Sequence, residues 1–347
     1  MQPVPSGVDA GMHGVLPHAI DPFALSLNEM PFPPLPAVRT ALIRSVDAAN
    51  RYPELLPEQL RRLIAGHAGI HPTQSDQVVV GAGATGVILQ ALHALTTPGD
   101  RMVMAAPTFD GYPIFAEMAR LVAVKVSLDE HGHHDLDALT DAAADARVVV
   151  LCRPHNPTGT IEPRAAVLRF LRQVPTDTVV LLDEAYIEFV APEHRLDVSE
   201  LIGRFPNVVV VRTFSKAYGL AGLRIGYGLA SVELARALRA QQPPFGIAIT
   251  GLFAVAASYD AEDQLLQRVQ LITAERRYLR KRLGALGIYT TDAHANFVYL
   301  PSRGRQWGGE LTGNGLRVRV YPDGGARITV GGRASTQAVL AAVGRSA

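Results

Sequence analysis

Short apolar runs rich in β-branched residues recur through the middle of the chain, at 77–80, 101–105, 121–126, 147–152, 178–182 and 207–211. Runs of this length without a polar alternation read as strands buried on both faces. Between them the apolar positions fall at helical spacing, over 85–95, 164–173 and 232–240. Such alternation predicts an α/β fold, a mostly parallel sheet with right-handed crossover helices. The sequence shows no internal repeat.

Both flanks break the pattern. Residues 1–36 are rich in Pro and Gly and predict an extended N-terminal arm. A large domain over 37–243 follows, and Gln241-Gln242-Pro243-Pro244 marks its end. Beyond it an amphipathic stretch over about 260–286 sets Leu265, Val269, Ile272, Leu279 and Leu283 on one face. Short strands at 296–300, 316–321 and 326–330 complete a smaller C-terminal α/β domain over 244–347.

Composition narrows the class. At 347 residues the chain outgrows one small core, in line with two domains. Hydrophobic residues make up 48% and charged residues 19%, so a compact rather than a disordered chain is expected. A net charge of +1 leaves no strong field for nucleic acid or an anionic membrane, and the basic cluster Arg276, Arg277, Arg280, Lys281 and Arg282 reads as a solvated helix face. No apolar segment is long enough to span a bilayer, and residues 1–14 lack the basic start and apolar core of a secretory signal, so the expected location is cytoplasmic. The single cysteine, Cys152, allows no internal disulfide and reads as a buried strand residue.

Candidate chemistry gathers where strands end. Gly81-Ala82-Gly83-Ala84-Thr85-Gly86 follows one strand and opens a helix, which matches the G-x-G-x-x-G turn of dinucleotide-binding folds. That reading also needs an acidic residue about 20 positions on, at the end of the next strand. The next strand instead ends Met104-Ala105-Ala106-Pro107, so only the general inference survives: Gly83, Ala84 and Thr85 form an anion cradle at a helix N-terminus. Asp183 closes another run and precedes Glu184-Ala185-Tyr186; alone it could equally be a helix N-cap. Asn156-Pro157-Thr158-Gly159 closes a third and alone is a turn. The last run leads into Thr213-Phe214-Ser215-Lys216, with Arg224 shortly after.

An anion cradle, a carboxylate, an amide and an amine at neighbouring strand ends are the partners pyridoxal 5′-phosphate demands. Lys216 would form a Schiff base with the aldehyde and move a proton during the reaction. Asp183 would keep the pyridine nitrogen protonated, and Asn156 and Tyr186 would bond the ring hydroxyl. Ser215 and Arg224 would join the cradle around the phosphate, and Phe109 would stack on the ring.

With these residues in view, the chain resembles the fold type I pyridoxal-phosphate aminotransferases, within them the histidinol-phosphate and aromatic amino acid aminotransferase group. The resemblance runs from about Leu27 to Gly331. It rests on Arg51-Tyr52-Pro53, Pro107-Thr108-Phe109, Asn156-Pro157-Thr158-Gly159, Asp183-Glu184-Ala185-Tyr186, the segment from Thr213 to Tyr227, Ala295-Asn296-Phe297-Val298 and Ala326-Arg327-Ile328-Thr329-Val330. It implies a homodimer in which Tyr52 reaches the cofactor phosphate of the other subunit. It implies Arg327 as the clamp on a substrate α-carboxylate, or as the residue that receives the phosphate of a substrate lacking that carboxylate, and Arg319 as a second anion-binding arginine. Asn28 lies in an arm segment, Asn28-Glu29-Met30-Pro31-Phe32-Pro33, that departs from the group's Asn-Glu-Asn-Pro-Tyr-Gly. His155 also replaces a common asparagine, and no tyrosine precedes Tyr52 to meet a substrate phosphate.

The implied reaction moves an amino group from an aromatic amino acid or histidinol phosphate to 2-oxoglutarate by a ping-pong route. The alternative within the resemblance is a lyase, such as a decarboxylase of a phosphorylated amino acid. A cofactor-binding regulator would need a DNA-binding domain for which the arm before Leu27 leaves no room.

Overall fold

The computed structural model describes residues 21–70 and 72–344. Residues 1–20 of the expected arm therefore lie outside the described residues. The strands are β1 (Ala24–Leu25), β2 (Val78–Ala82), β3 (Arg101–Ala106), β4 (Val122–Ser127), β5 (Val148–Cys152), β6 (Val179–Asp183), β7 (Val208–Thr213), β8 (Ile225–Leu229), β9 (Phe297–Leu300), β10 (Arg317–Val320) and β11 (Ala326–Thr329). Seven of them form one sheet in the order β2-β8-β7-β6-β5-β3-β4, and the other four a second sheet, β1-β10-β11-β9.

The seven-stranded sheet is the expected one, parallel except at β8, which pairs antiparallel with both β2 and β7. Ile225–Leu229 is a strand that the sequence pattern did not single out. Its glycines hid the pattern, and Gly226 is there because another backbone comes close: a Cβ on it would sit 2.3 Å from Ala84 N. Because β8 is reversed twice, β2 still runs with β5, β6 and β7, so all four end at the same edge.

Alternate residues of each strand feed two apolar layers, as a period of two requires. Val149, Leu151, Val180, Leu182 and Val210 pack on one side with Phe170 and Leu171. On the other, Val148, Val150, Leu181, Val209 and Val211 pack with Ile88, Leu92 and Tyr112. Every residue of β5 and β6 is buried, which is why these strands lack a polar alternation.

The arm joins the small sheet, since β1 pairs in parallel with β10 through Ala24↔Arg317 and Leu25↔Val318. Two residues of strand carry no period, so the pattern could not reveal them. The amphipathic stretch is the helix Glu262–Ala285, but its basic face is not wholly solvated. Arg276 is buried, its Nη1 donates to Ala295 O, and burial lowers its guanidinium to about 10. Among the described residues no helix is long and apolar enough to cross a membrane.

Candidate active site

Strand β6 delivers Asp183 to the sheet edge, its backbone opposite Cys152 of β5. Its carboxylate accepts hydrogen bonds from the Tyr112 hydroxyl at 2.6 Å through Oδ2 and from Ala185 N at 3.0 Å through Oδ1. Burial pushes the Asp183 carboxyl above the usual range, and these two donors act against that shift. Asp183 is not a helix N-cap, since the helical turn that follows begins at Ile187 with Tyr186 at its N-cap; its side chain lines a cavity of about 500 Å³.

Strand β7 leads into Ser215 and Lys216. Thr213 Oγ1 donates to Ser215 Oγ at 2.9 Å and accepts from Ser215 N at 3.1 Å, which fixes the turn out of the strand. Lys216 Nζ donates to Leu27 O at 2.9 Å. Burial first, then the Arg327 and Arg224 charges, lower the Lys216 ammonium to about 8. An amine so shifted is a better nucleophile at neutral pH than an ordinary surface lysine.

The anion cradle is built where the helix Gly83–Leu95 begins. No side chain caps that helix. Arg224 reaches over its first turn: Nη1 donates to Ser215 Oγ at 3.3 Å, and Nη2 to Ala82 O at 3.4 Å. Gly83 has φ +77°, and a Cβ there would lie 2.4 Å from Arg224 Nη2. Gly83 thus shapes the cradle, whereas Ala84, Thr85, Ser215 and Arg224 line it. A helix N-terminus with an arginine and a serine above it fits a phosphate.

The remaining groups come from the arm and the small sheet. Tyr186 Oη accepts from Asn28 Nδ2 at 3.0 Å and from Asn156 Nδ2 at 3.4 Å, which turns its own proton toward the cavity. Asn28 is anchored in turn, its N–H donating to Thr329 Oγ1 at 2.9 Å and its carbonyl accepting from Asn296 Nδ2 at 3.0 Å. Arg327 is buried; Nη1 donates to Asn156 Oδ1 and Nη2 to Ser26 O, while Nε has no protein partner. Arg319 lies directly opposite Arg327 in the β10–β11 ladder and bonds Asp110 Oδ2 at 2.9 Å.

The cavity therefore brings together Lys216, Asp183, Tyr186, Asn156, Asn28, Ala84, Thr85, Phe109, Thr213, Ser215, Arg224, Arg319 and Arg327. Tyr52 stands apart: it is 84% exposed, beside Phe245, and is not part of this lining. Sequence reading missed Tyr112, Asp110, Glu29 and Ile88, which also line it. Tyr112 lies three residues past Phe109, and its ring meets that of Phe109 edge to face at 5.3 Å. Nothing in the local sequence marks Asp110.

Comparison with known proteins identifies this arrangement. The chain superimposes on a histidinol-phosphate aminotransferase from Sinorhizobium meliloti, solved in complex with pyridoxal-5'-phosphate, with a TM-score of 0.86 and 26% identity over 94% of this chain and 92% of that one. Its architecture is thus that of the fold type I aminotransferases. The chain belongs to the aminotransferase class I and II family, whose sequence model matches residues 20–308. Aromatic amino acid aminotransferases are among its relatives: that of Corynebacterium efficiens is 39% identical over 93% of this chain and 92% of its own length. That of Cutibacterium acnes is 40% identical over 90% and 89%. The protein is an aminotransferase.

Proposed function

We propose that the protein is a homodimeric, pyridoxal-phosphate-dependent aminotransferase that takes the amino group of an aromatic amino acid and delivers it to 2-oxoglutarate by a ping-pong route. The observation that carries the reading is the amine of Lys216, lowered to about 8, facing the same cavity as buried Asp183 and buried Arg327. Residues 37–243 would form the cofactor-binding domain and 244–347, with β1 added, the smaller one.

The residues present fit the cofactor. Ala84, Thr85, Ser215 and Arg224 would hold its phosphate, Asp183 its ring nitrogen, Asn156 and Tyr186 its ring hydroxyl, and Phe109 its face. When bound, the group supplies an aldehyde for the amine and an electron-withdrawing ring.

The protein's own groups then have separable tasks. Asp183, whose carboxylate form the Tyr112 O–H and Ala185 N–H favour against burial, would hold a proton on the ring nitrogen. Lys216 takes the proton from the donor's Cα, a step its shifted pKa suits near neutral pH. Arg327, which lines the cavity, would offer the N–H groups of its planar fork to the α-carboxylate. Leu27, Ile88, Phe109 and Val318 line the cavity with apolar surface, which favours an uncharged aromatic side chain and excludes water.

Histidinol phosphate carries a phosphate in place of the α-carboxylate and would engage Arg327 through it, so it belongs in the same donor panel. The test is direct. Purified protein with phenylalanine or tyrosine and 2-oxoglutarate is expected to form glutamate, and donor alone to shift the yellow absorbance of the bound cofactor. Release of carbon dioxide without glutamate would instead mark a lyase.

A further inference from the structure

We infer that His155 is a positioning residue: as a neutral imidazole protonated on Nδ1, it closes the turn that presents Asn156 to the catalytic cavity. The inference deepens the aminotransferase reading above and rests on the role proposed there for Asn156. Asn156 lines the cavity, accepts from Arg327 Nη1 and donates to Tyr186 Oη, so a shift of its amide would disturb the arginine and the phenol together. His155 is wholly buried and is not part of that lining. Its bonds run forward along the chain instead. His155 O accepts from Gly159 N at 2.6 Å, its N–H donates to Thr160 O at 2.9 Å, and Nδ1 lies 2.9 Å from Thr158 Oγ1. From outside the turn, Thr291 Oγ1 donates to Thr158 O at 2.6 Å and His294 N to Gly159 O at 2.7 Å. The backbone around Asn156 is thus held from both sides.

Counting protons fixes the form of the imidazole. Thr158 Oγ1 lies 2.7 Å and Thr160 Oγ1 2.8 Å from Gly132 O, and the two hydroxyl oxygens lie 2.9 Å apart. Two oxygens at 2.7 Å need a proton between them, and a carbonyl has none to give, so the single hydroxyl proton of Thr158 goes to Gly132 O. Thr158 Oγ1 is then an acceptor toward His155, and the Nδ1 that faces it carries the proton. Nε2, buried with no protein partner, is the bare nitrogen. The cationic form is opposed by burial and by the charges of His134 and His133, which hold the imidazole well below its ordinary pKa. The His134 ring meets that of His155 edge to face at 4.4 Å, and its own Nδ1 lies 3.0 Å from Glu162 Oε1. Only one polar atom of the His155 side chain is therefore in use. An asparagine carries an amide nitrogen two bonds beyond Cβ, where Nδ1 stands, and so keeps this donor, whereas leucine fills the space and loses it.

The rival is a histidine that merely fills buried space. Rates expressed per cofactor-loaded site, counted from the absorbance of the bound cofactor, separate the two, because a loss of folded protein does not enter. His155→Leu is expected to lower kcat/KM for phenylalanine about tenfold, the effect of one buried hydrogen bond. His155→Asn should recover the rate to within about threefold of the unaltered enzyme. Equal losses in the two variants, or no loss per loaded site in the leucine variant, overturn the inference. A second measurement does not depend on activity: nitrogen-15 spectra of the histidine-labelled holoenzyme at pH 7, with the His155 ring identified by its absence from His155→Asn. They should show a proton on Nδ1 and none on Nε2; a ring protonated on Nε2, or on both nitrogens, overturns the inference as well. The reading beneath it fails separately, if the unaltered enzyme forms no glutamate from phenylalanine and 2-oxoglutarate.

Discussion

The Tyr112 hydroxyl donates to Asp183 Oδ2 at 2.6 Å, inside a fully buried layer. A buried carboxylate is costly unless donors face it, and this one has two. The phenol matters through the charge it holds in place, since Tyr112 is itself pushed well above its ordinary pKa by burial and by Asp183, and so remains a donor at all working pH values.

Tyr112→Phe should therefore weaken the carboxylate form of Asp183. Its pKa is already raised by burial, so the native state binds this proton more readily than the unfolded chain, and stability falls as pH rises through that window. Losing the donor raises the pKa further. The acidic limb of the activity profile should move to higher pH, and unfolding at pH 7 should become easier by about 1–3 kcal/mol. Chemical denaturation and a pH–rate profile check both; an unmoved acidic limb would count against the role.

Lys216 should react as an amine of pKa about 8. In cofactor-free protein, modification by an amine reagent should reach half its maximal rate near that pH, well below the ordinary lysine value. The linkage has a definite sign: the unfolded chain carries this proton between about 8 and 10.5 and the folded one does not, so this group's contribution to stability rises with pH across that window. Lys216→Ala should lower transamination at least about 10³-fold while not lowering the Tm of the cofactor-free protein at pH 7.

Tyr52 gives a test of assembly. It is exposed beside Phe245 and outside its own chain's cavity. If it completes the partner's site, Tyr52→Ala and Lys216→Ala are each nearly inactive, yet in a mixed dimer one site receives both native residues. Unfolding and refolding an equal mixture should recover about a quarter of the native activity, because half the dimers carry one of two sites intact. No recovery would mean that Tyr52 acts elsewhere.

Gly226→Ala should be among the most damaging small changes. The added Cβ would stand 2.3 Å from backbone atoms of Gly83 and Ala84, which no side-chain rotation relieves. A loss of about 3 kcal/mol or more is expected, with the phosphate cradle displaced. Thermal unfolding with and without pyridoxal phosphate measures both parts, since a bound ligand raises the Tm only where its site survives.

Much of this was legible because the sheet is buried on both faces. The Val-rich runs of β5, β6 and β7 admit no other packing, and the chemistry-bearing residues follow them directly, so Asp183, Asn156 and Lys216 could be assigned to one edge from order alone. Less visible were features that depend on distant pairing. The two-residue β1 has no period, β8 is interrupted by glycines, and Asp110 gains meaning only from Arg319, more than two hundred residues away. Arg276 read as solvent-facing because its neighbours in sequence are basic, whereas its partner is a carbonyl in another segment.

The pairing of β1 with β10 reaches beyond the sheet it extends. Immediately after β1, Ser26 O meets Arg327, Leu27 O meets Lys216, and Asn28 meets Tyr186. A strand of two residues is a weak tether, so local opening of the arm is expected at far less than the free energy of global unfolding. Each such opening would remove a partner from the clamp, the nucleophile and the phenol at once. On the proposed roles, catalytic competence would be lost with the arm while the seven-stranded sheet stays folded.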